Sequence, residues 1–286
     1  MIKIKFKIQC VLLVLLFMVA IPLSAYGIDG QIKIAQPTSF PIVIDQPGSY
    51  VLTSNITVST TNVNGIEIKT YDVTLDLNGF ALIGPGKESG TSGNGLHAKN
   101  KSNIAVTNGV VRDFAGDGVY LSGSNMEVKD IRTYNNGSRG IYALNSIITN
   151  CTAKYNDDYG IHANYSTIIN CNANDNSNGI IASVSTITNC TIYHNSDTGI
   201  NASSSTVTNC TSNNNGGNGI KASYRNRIEG NNMRNNGGYG LFLEDSHNYA
   251  VKNTASDNGS SSADNFVDNG LNNYMPISGD NANYGW

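Results

Sequence analysis

From Gly65 onward, a glycine followed by one aliphatic residue returns along the chain: Gly65-Ile66, Gly95-Leu96, Gly118-Val119, Gly140-Ile141, Gly160-Ile161, Gly179-Ile180, Gly199-Ile200, Gly219-Ile220 and Gly240-Leu241. The spacings are 30, 23, 22, 20, 19, 20, 20 and 21 residues. A period of this size means stacked units, none of which buries its apolar face alone. Three residues after each glycine stand Ile68, Ala98, Leu121, Ala143, Ala163, Ala182, Ala202, Ala222 and Leu243. Positions one and three have the same parity, so both face one side of a short strand. Six residues on comes a serine column: Ser124, Ser146, Ser166, Ser185 and Ser205, then Arg225 and Ser246. Eight residues on are Val73, Met126, Ile148, Ile168, Ile187 and Val207, with Ile104 and Ile228 joining by one-residue slips.

Asn150-Cys151, Asn170-Cys171, Asn189-Cys190 and Asn209-Cys210 align next. Ile148 and Cys151 are three apart, so strict alternation cannot turn both inward and a corner must intervene. Asn tolerates the left-handed backbone of a sharp corner, which makes the asparagines corners and the cysteines inward. Four residues before each glycine lie Asn136, Asn156, Asp175, Asn195, Asn215 and Asn236, a column suited to amide bonding from layer to layer. Each repeat therefore predicts three short strands and three corners. The expected fold is all-β: a right-handed, single-stranded parallel β-helix of about nine to ten rungs, layers about 4.8 Å apart. A leucine-rich repeat has a similar period, but residues 145–240 contain no Leu. Strand-like, Pro-containing residues 28–60 are expected to form an N-terminal cap, 61–270 the β-helix and 271–286 a C-terminal tail.

Composition sharpens this. The 286 residues include 42 Asn and 30 Gly but 6 Pro, and none of the prolines lies between 86 and 275. Charged residues are 14% and the net charge is −3, which excludes a basic nucleic-acid binder. Residues 1–27 read as a secretory signal peptide: Lys3, Lys5 and Lys7, an apolar run from Val11 to Leu23, then Ala25 and Gly27 at the cleavage site. Export to the periplasm, cell surface or medium follows. No membrane association is expected after cleavage, because no second apolar span occurs, and a monomer is expected.

The stretch GSYVLTSNITV…NGIEIKTYDVTLDLNGFALIGPG, from Gly48 to Gly86, resembles the opening of bacterial right-handed parallel β-helix proteins of the pectin-lyase-like fold, including NosD-type periplasmic proteins. The later NGL, DGV, RGI, YGI and TNC rungs resemble their body, over about residues 30–260. That resemblance implies the fold and leaves activity open, since the fold hosts lyases, hydrolases, epimerases and adhesins. Asp157-Asp158 with Gly160-Ile161-His162 is only superficially similar to the paired aspartates of polygalacturonases. The Asn-Thr-Asp and Arg-Ile-Lys elements, an Arg-rich pectate-lyase strand and an Asp-Pro-His-Glu epimerase motif are absent.

Candidate chemistry concentrates in the outward column two residues after each glycine: Glu67, His97, Tyr120, Tyr142, His162, Ile181, Asn201, Lys221 and Phe242. Tyr120, Tyr142 and His162 should sit side by side, flanked by Asp117, Arg139 and Asp158. Such an aromatic strip suits a sugar chain running along the rod, although Tyr also simply favours strands. His97 and His162 read as solvent-facing and too far apart for one metal ion. A calcium site from Asp157, Asp158, Asp175 and Asp197 would span three layers. No cofactor or metal is expected. Cys151, Cys171, Cys190 and Cys210 favour a buried thiol ladder, with disulfides or metal as alternatives. The expected function is an exported, non-enzymatic surface, adhesion or glycan-binding protein with a polysaccharide ligand. The alternative is a polysaccharide lyase or glycoside hydrolase, disfavoured by short rungs with few insertions to build a groove.

Overall fold

The computed structural model describes residues 30–90 and 92–285, so the expected signal peptide lies outside the described residues. The chain winds into a parallel β-solenoid of about 11 turns, with one 3-10 turn at Ser262–Asn265. One turn shows the plan: strands Ile141–Ala143, Ser146–Thr149 and Thr152–Lys154, then Tyr159–His162 opening the next layer. Ile141 pairs in parallel with Ile161, Ile148 with Ile168 and Ala153 with Ala173. The turn count exceeds the expected nine to ten because the flanking segments also coil. Ile32–Ile34 pairs with Gly48–Leu52, Ile42–Ile44 with Ile66–Ile68, and Tyr284–Gly285 with Thr254–Ser256.

Each corner holds a left-handed residue just before an inward one. In the turn above these are Asn145 before Ser146, Asn150 before Cys151 and Tyr155 before Asn156, at φ 49°, 54° and 56°. Reversing the backbone at one residue lets two consecutive strands both point their ends inward. Most such positions are Asn or Asp, which tolerate this conformation. The glycines answer a different demand. A Cβ on Gly140 would come within 2.7 Å of the Gly160 carbonyl oxygen and of Asn156 Nδ2, so the column is closed to any side chain.

The interior is a set of stacked columns. Ile141, Ile161, Ile180, Ile200 and Ile220 are buried, as are Ala143, Ala163, Ala182, Ala202 and Ala222. Beside them runs a buried amide ladder, Asn136–Asn156–Asn176–Asn195–Asn215–Asn236–Asn258–Asn265. Asn195 shows why it is stable. Its Nδ2 donates to Asn215 Oδ1 at 2.9 Å and to the Ala173 carbonyl at 3.0 Å. Its Oδ1 accepts from the Asn176 backbone N–H at 3.0 Å and from Asn176 Nδ2 at 3.2 Å. A buried amide satisfied at both ends escapes the penalty of an unpaired one.

Three columns differ from the sequence expectation. Asn176, not Asp175, continues the amide ladder, because this corner reaches Gly179 one residue sooner; Asp175 takes the left-handed position at φ 55°. A carboxylate has no N–H with which to extend the ladder. Asn226 and Asn248, not Arg225 and Ser246, extend the serine column, whose Ser205 N–H donates to Asn226 Oδ1. These two turns carry longer corners, and Arg225 is the left-handed residue there. Val73, Ile104 and Met126 align with Ser146, while Val128 aligns with Ile148, so the apolar residues of early turns occupy the place of the later serines. Ser124 is correspondingly exposed, bonded to Ser102 at 2.8 Å.

Cys151, Cys171, Cys190 and Cys210 are buried and free. Each thiol donates to the carbonyl two residues earlier, from Cys151 to Thr149 at 3.2 Å to Cys210 to Thr208 at 3.3 Å. The column then changes chemistry: Cys210 N–H donates to Asn231 Oδ1, and Asn231, Asn253 and Asn283 form a further ladder.

Asn195→Ala strands hydrogen-bonding groups of Asn176 and Asn215, so chemical denaturation should show a loss of about 2–4 kcal/mol. Exposed Thr191→Ala should stay within about 0.5 kcal/mol of wild type. The four described cysteines should alkylate slowly in native protein and fully in denaturant without reductant. Four unreactive cysteines after unfolding would establish disulfides instead.

Candidate functional site

Parallel register carries the outward column straight along the rod. His97 pairs with Tyr120, Tyr120 with Tyr142 and Tyr142 with His162. The rings form one continuous ladder. His97 and Tyr120 stack with centroids 5.0 Å apart, Tyr120 and Tyr142 at 4.9 Å, and Tyr142 meets His162 edge-on at 5.0 Å. At this spacing the first three rings turn their faces to one another, and His162 closes the series at a near right angle to Tyr142. The rings are therefore packed against one another along the rod rather than standing apart as separate platforms. All four residues are half-buried.

Arg139 locks this ladder to the corner beside it. Its Nε donates to Asp117 Oδ1 at 3.0 Å and its Nη2 to Asp117 Oδ2 at 2.8 Å. The Arg139 backbone N–H also donates to Asp117 Oδ1, at 2.9 Å. The guanidinium lies 3.9 Å from the Tyr142 ring centroid, within cation–π range. Its Nη1 is 3.5 Å from His162 Nδ1. Asp117 is 4% exposed, so it lies beneath the strip as the anchor of Arg139 and not on the surface. Asp158 is half-buried one turn further on, and burial raises its carboxyl above the ordinary value.

The same burial governs the other titratable groups. Desolvation lowers His162 to about 4, assisted by the neighbouring Arg139 charge, and Asp117 opposes the shift. Burial also lowers His97, against the pull of Glu67, and raises the Tyr142 phenol. At neutral pH both histidines of the strip are uncharged.

A groove opens beside the strip, about 640 Å³ in volume, lined among others by Asn62, Asn64, Glu67, Asn94, Asp117 and Ser138. One wall is formed by Ser92, Gly93 and Asn94, which end the longer segment behind the 30-residue spacing between Gly65 and Gly95. That segment is pinned where Gly86 N–H donates to the Asp113 carbonyl and Gly116 N–H to the Gly93 carbonyl, both at 2.9 Å. Further out, Lys87 Nζ reaches Asp157 Oδ1 at 2.6 Å. Asn94 Oδ1 accepts from the Asp117 backbone N–H, tying the groove wall to the anchor of Arg139. Tyr120, Tyr142, His162, Asp117, Arg139 and Asp158, the candidates that the sequence offers, gather in one region. The sequence pattern did not place His97 and Glu67 in the site, although both stand in the outward column, nor did it anticipate the groove, whose signal was the long spacing. Among the described residues no three His, Cys, Asp or Glu side chains converge on a metal-sized site, and no helix is long and apolar enough to cross a membrane.

The folded-state value of His162 lies below the unfolded one, so between pH 6.5 and about 4 the unfolded chain binds the extra proton. Stability should fall as pH drops through this window and level off below it. His162→Gln should flatten that part of the profile in thermal unfolding against pH; an unchanged profile would place the effect elsewhere.

A family model described as "Right handed beta helix region" matches residues 41–185 and 180–275. No curated protein sequence matches the chain. Among solved structures, the chain is similar to the mannuronan C-5 epimerase AlgE4 A-module of Azotobacter vinelandii, at 13% identity and a TM-score of 0.65, covering 90% of this chain and 85% of that one. It is also similar to the periplasmic alginate epimerase AlgG, at 12% identity and a TM-score of 0.56, covering 86% and 72%. The Dettilon tailspike protein follows at 16% and 0.52, covering 79% and 47%. At these identities the likeness is one of fold. With most of its length matched by the family model, the chain belongs to the right-handed β-helix family.

Proposed function

We propose that this chain is an exported β-helix protein that binds an extended polysaccharide along the His97–Tyr120–Tyr142–His162 ladder and does not turn it over. The observation that carries this reading is the ladder itself: four half-buried rings in one register column, bordered by a groove that follows the rod. Successive layers lie about 4.8 Å apart, close to the length of one sugar unit, so a chain laid along the axis meets a new ring at each layer. The partly exposed rings and their polar atoms offer it apolar contact and hydrogen bonds together. The fold neighbours support a carbohydrate role, since two are named as mannuronan and alginate epimerases. Binding without turnover is favoured because Asp117 and Arg139 already satisfy each other.

A second reading, a polysaccharide lyase or glycoside hydrolase, is favoured by one observation. The groove is lined by Glu67 and Asp117, and Asp117 is linked through Arg139 to His162, which is neutral at pH 7 and therefore able to accept a proton. Reducing-sugar and unsaturated-product assays separate the readings: product formation that His162→Gln abolishes would establish the enzyme.

For the binding reading, a Tyr120→Ala/Tyr142→Ala double variant should keep its fold, because both side chains point away from the core. A glycan-array hit should lose at least about tenfold in affinity, or about 1.4 kcal/mol. Equal binding by variant and wild type would place the ligand elsewhere.

A further inference from the structure

We propose that this strip selects an uncharged polysaccharide over a polyuronate of the same backbone. The inference rests on the ladder being the glycan-binding face, and it concerns the charge of the chain bound there. A polyuronate carries a carboxylate on every sugar. Holding it requires Arg or Lys groups free to make charge-assisted hydrogen bonds at matching intervals.

Four cations of this face, Arg139, Lys87, Lys69 and Lys221, are already committed to carboxylates of the protein. Arg139 makes the two-pronged contact with Asp117, and the carboxylate behind it is buried. Turning Arg139 outward toward a ligand would leave that buried charge unpaired, which is strongly unfavourable. The Tyr142 ring beneath the guanidinium holds it in place as well. Lys87 is taken by Asp157 at 2.6 Å and Lys69 lies 3.6 Å from Glu67. Further along the column, Lys221 pairs with Glu244 at 2.8 Å. Lys99, beside His97 at one end, makes no ion pair among the described residues, and it stands at the edge of a face spanning several layers. His97 and His162 add no positive charge at neutral pH.

The remaining charge points the other way. Asp158 makes no salt bridge among the described residues and lies close enough to Arg139 and Asp117 to feel both. Uronate groups laid over Tyr142 and His162 would meet Asp158 and the Asp117–Arg139 pair, with no cation to receive them. Hydroxymethyl groups in the same places would instead find neutral donors and acceptors: the phenols, the imidazoles and the amides of Asn62, Asn64 and Asn94 along the groove.

Matched pairs of oligosaccharides test this directly. β-1,4-linked mannose, glucose and galactose hexamers would be titrated calorimetrically against the corresponding hexuronates, which differ only at C6. The expected result is that at least one neutral hexamer binds, at least about tenfold more tightly than its uronate partner. Its affinity should be insensitive to salt, because no ion pair forms on binding. Asp158→Asn should narrow the gap by improving uronate binding; Asp117→Asn, which frees Arg139, should narrow it further if that variant folds. Tighter binding of a hexuronate, weakening with salt, would overturn the proposal. Loss of that binding in the Tyr120→Ala/Tyr142→Ala variant would then leave the ladder standing as the binding face. Binding of none of the hexamers would overturn both.

Discussion

Hydrogen bonding between buried amides along the rod axis is the constraint on which the rest of the structure depends. Backbone ladders alone do not fix which residue of one turn sits over which residue of the next. A one-residue slip in a strand exchanges its inner and outer faces. In this chain the inward Asn side chains resist such a slip, because each must find the amide of the next turn or remain unpaired in a dry interior. The same demand explains the glycines, whose missing side chains leave room for those amides. It also explains the left-handed corners, which aim each amide inward.

The site is a consequence of that register. Once Ile141 is held over Val119 and under Ile161, the neighbouring outward residues Tyr120, Tyr142 and His162 have no choice but to share a column. Their close spacing brings the rings into mutual contact. The Asp117–Arg139 pair then secures the column from the corner side, and Ser92, Gly93 and Asn94 raise a wall near it. Two kinds of order meet here: a repeat that specifies a surface by periodicity, and one break in the repeat that gives that surface a groove. The ion pairs that stabilise this region also consume its cations, so the contacts that build the site narrow what it is able to hold.

Much of this was legible in the sequence because it follows from periodicity. The glycine-aliphatic period, the Ile and Ala columns and the inward cysteines behind corner asparagines all emerge from counting. Counting from the glycine failed where corners change length. Asn176 replaces Asp175 and Asn226 replaces Arg225 in the ladders, because the position needs both an acceptor and a donor: a carboxylate lacks the N–H and a guanidinium lacks the acceptor. Chemistry, not offset, decides those columns. The orientation of the rings was not legible, since alternation assigns a residue to a face and says nothing of how neighbouring rings share it. The groove was hidden for another reason: a longer spacing reveals an excursion but not which corners it covers, and Lys87 meets Asp157 across 70 residues of sequence.

If buried amides hold the register, their protons are shielded as long as the rod is folded. Hydrogen exchange of the side-chain amides, followed residue by residue by NMR, tests this most directly. The account predicts that Asn156, Asn176, Asn195 and Asn215 exchange only through cooperative unfolding, with the same opening free energy as the backbone amides of Ile180 and Ile200. Exchange of those side chains as fast as that of an exposed asparagine such as Asn214, with the backbone still protected, would contradict it.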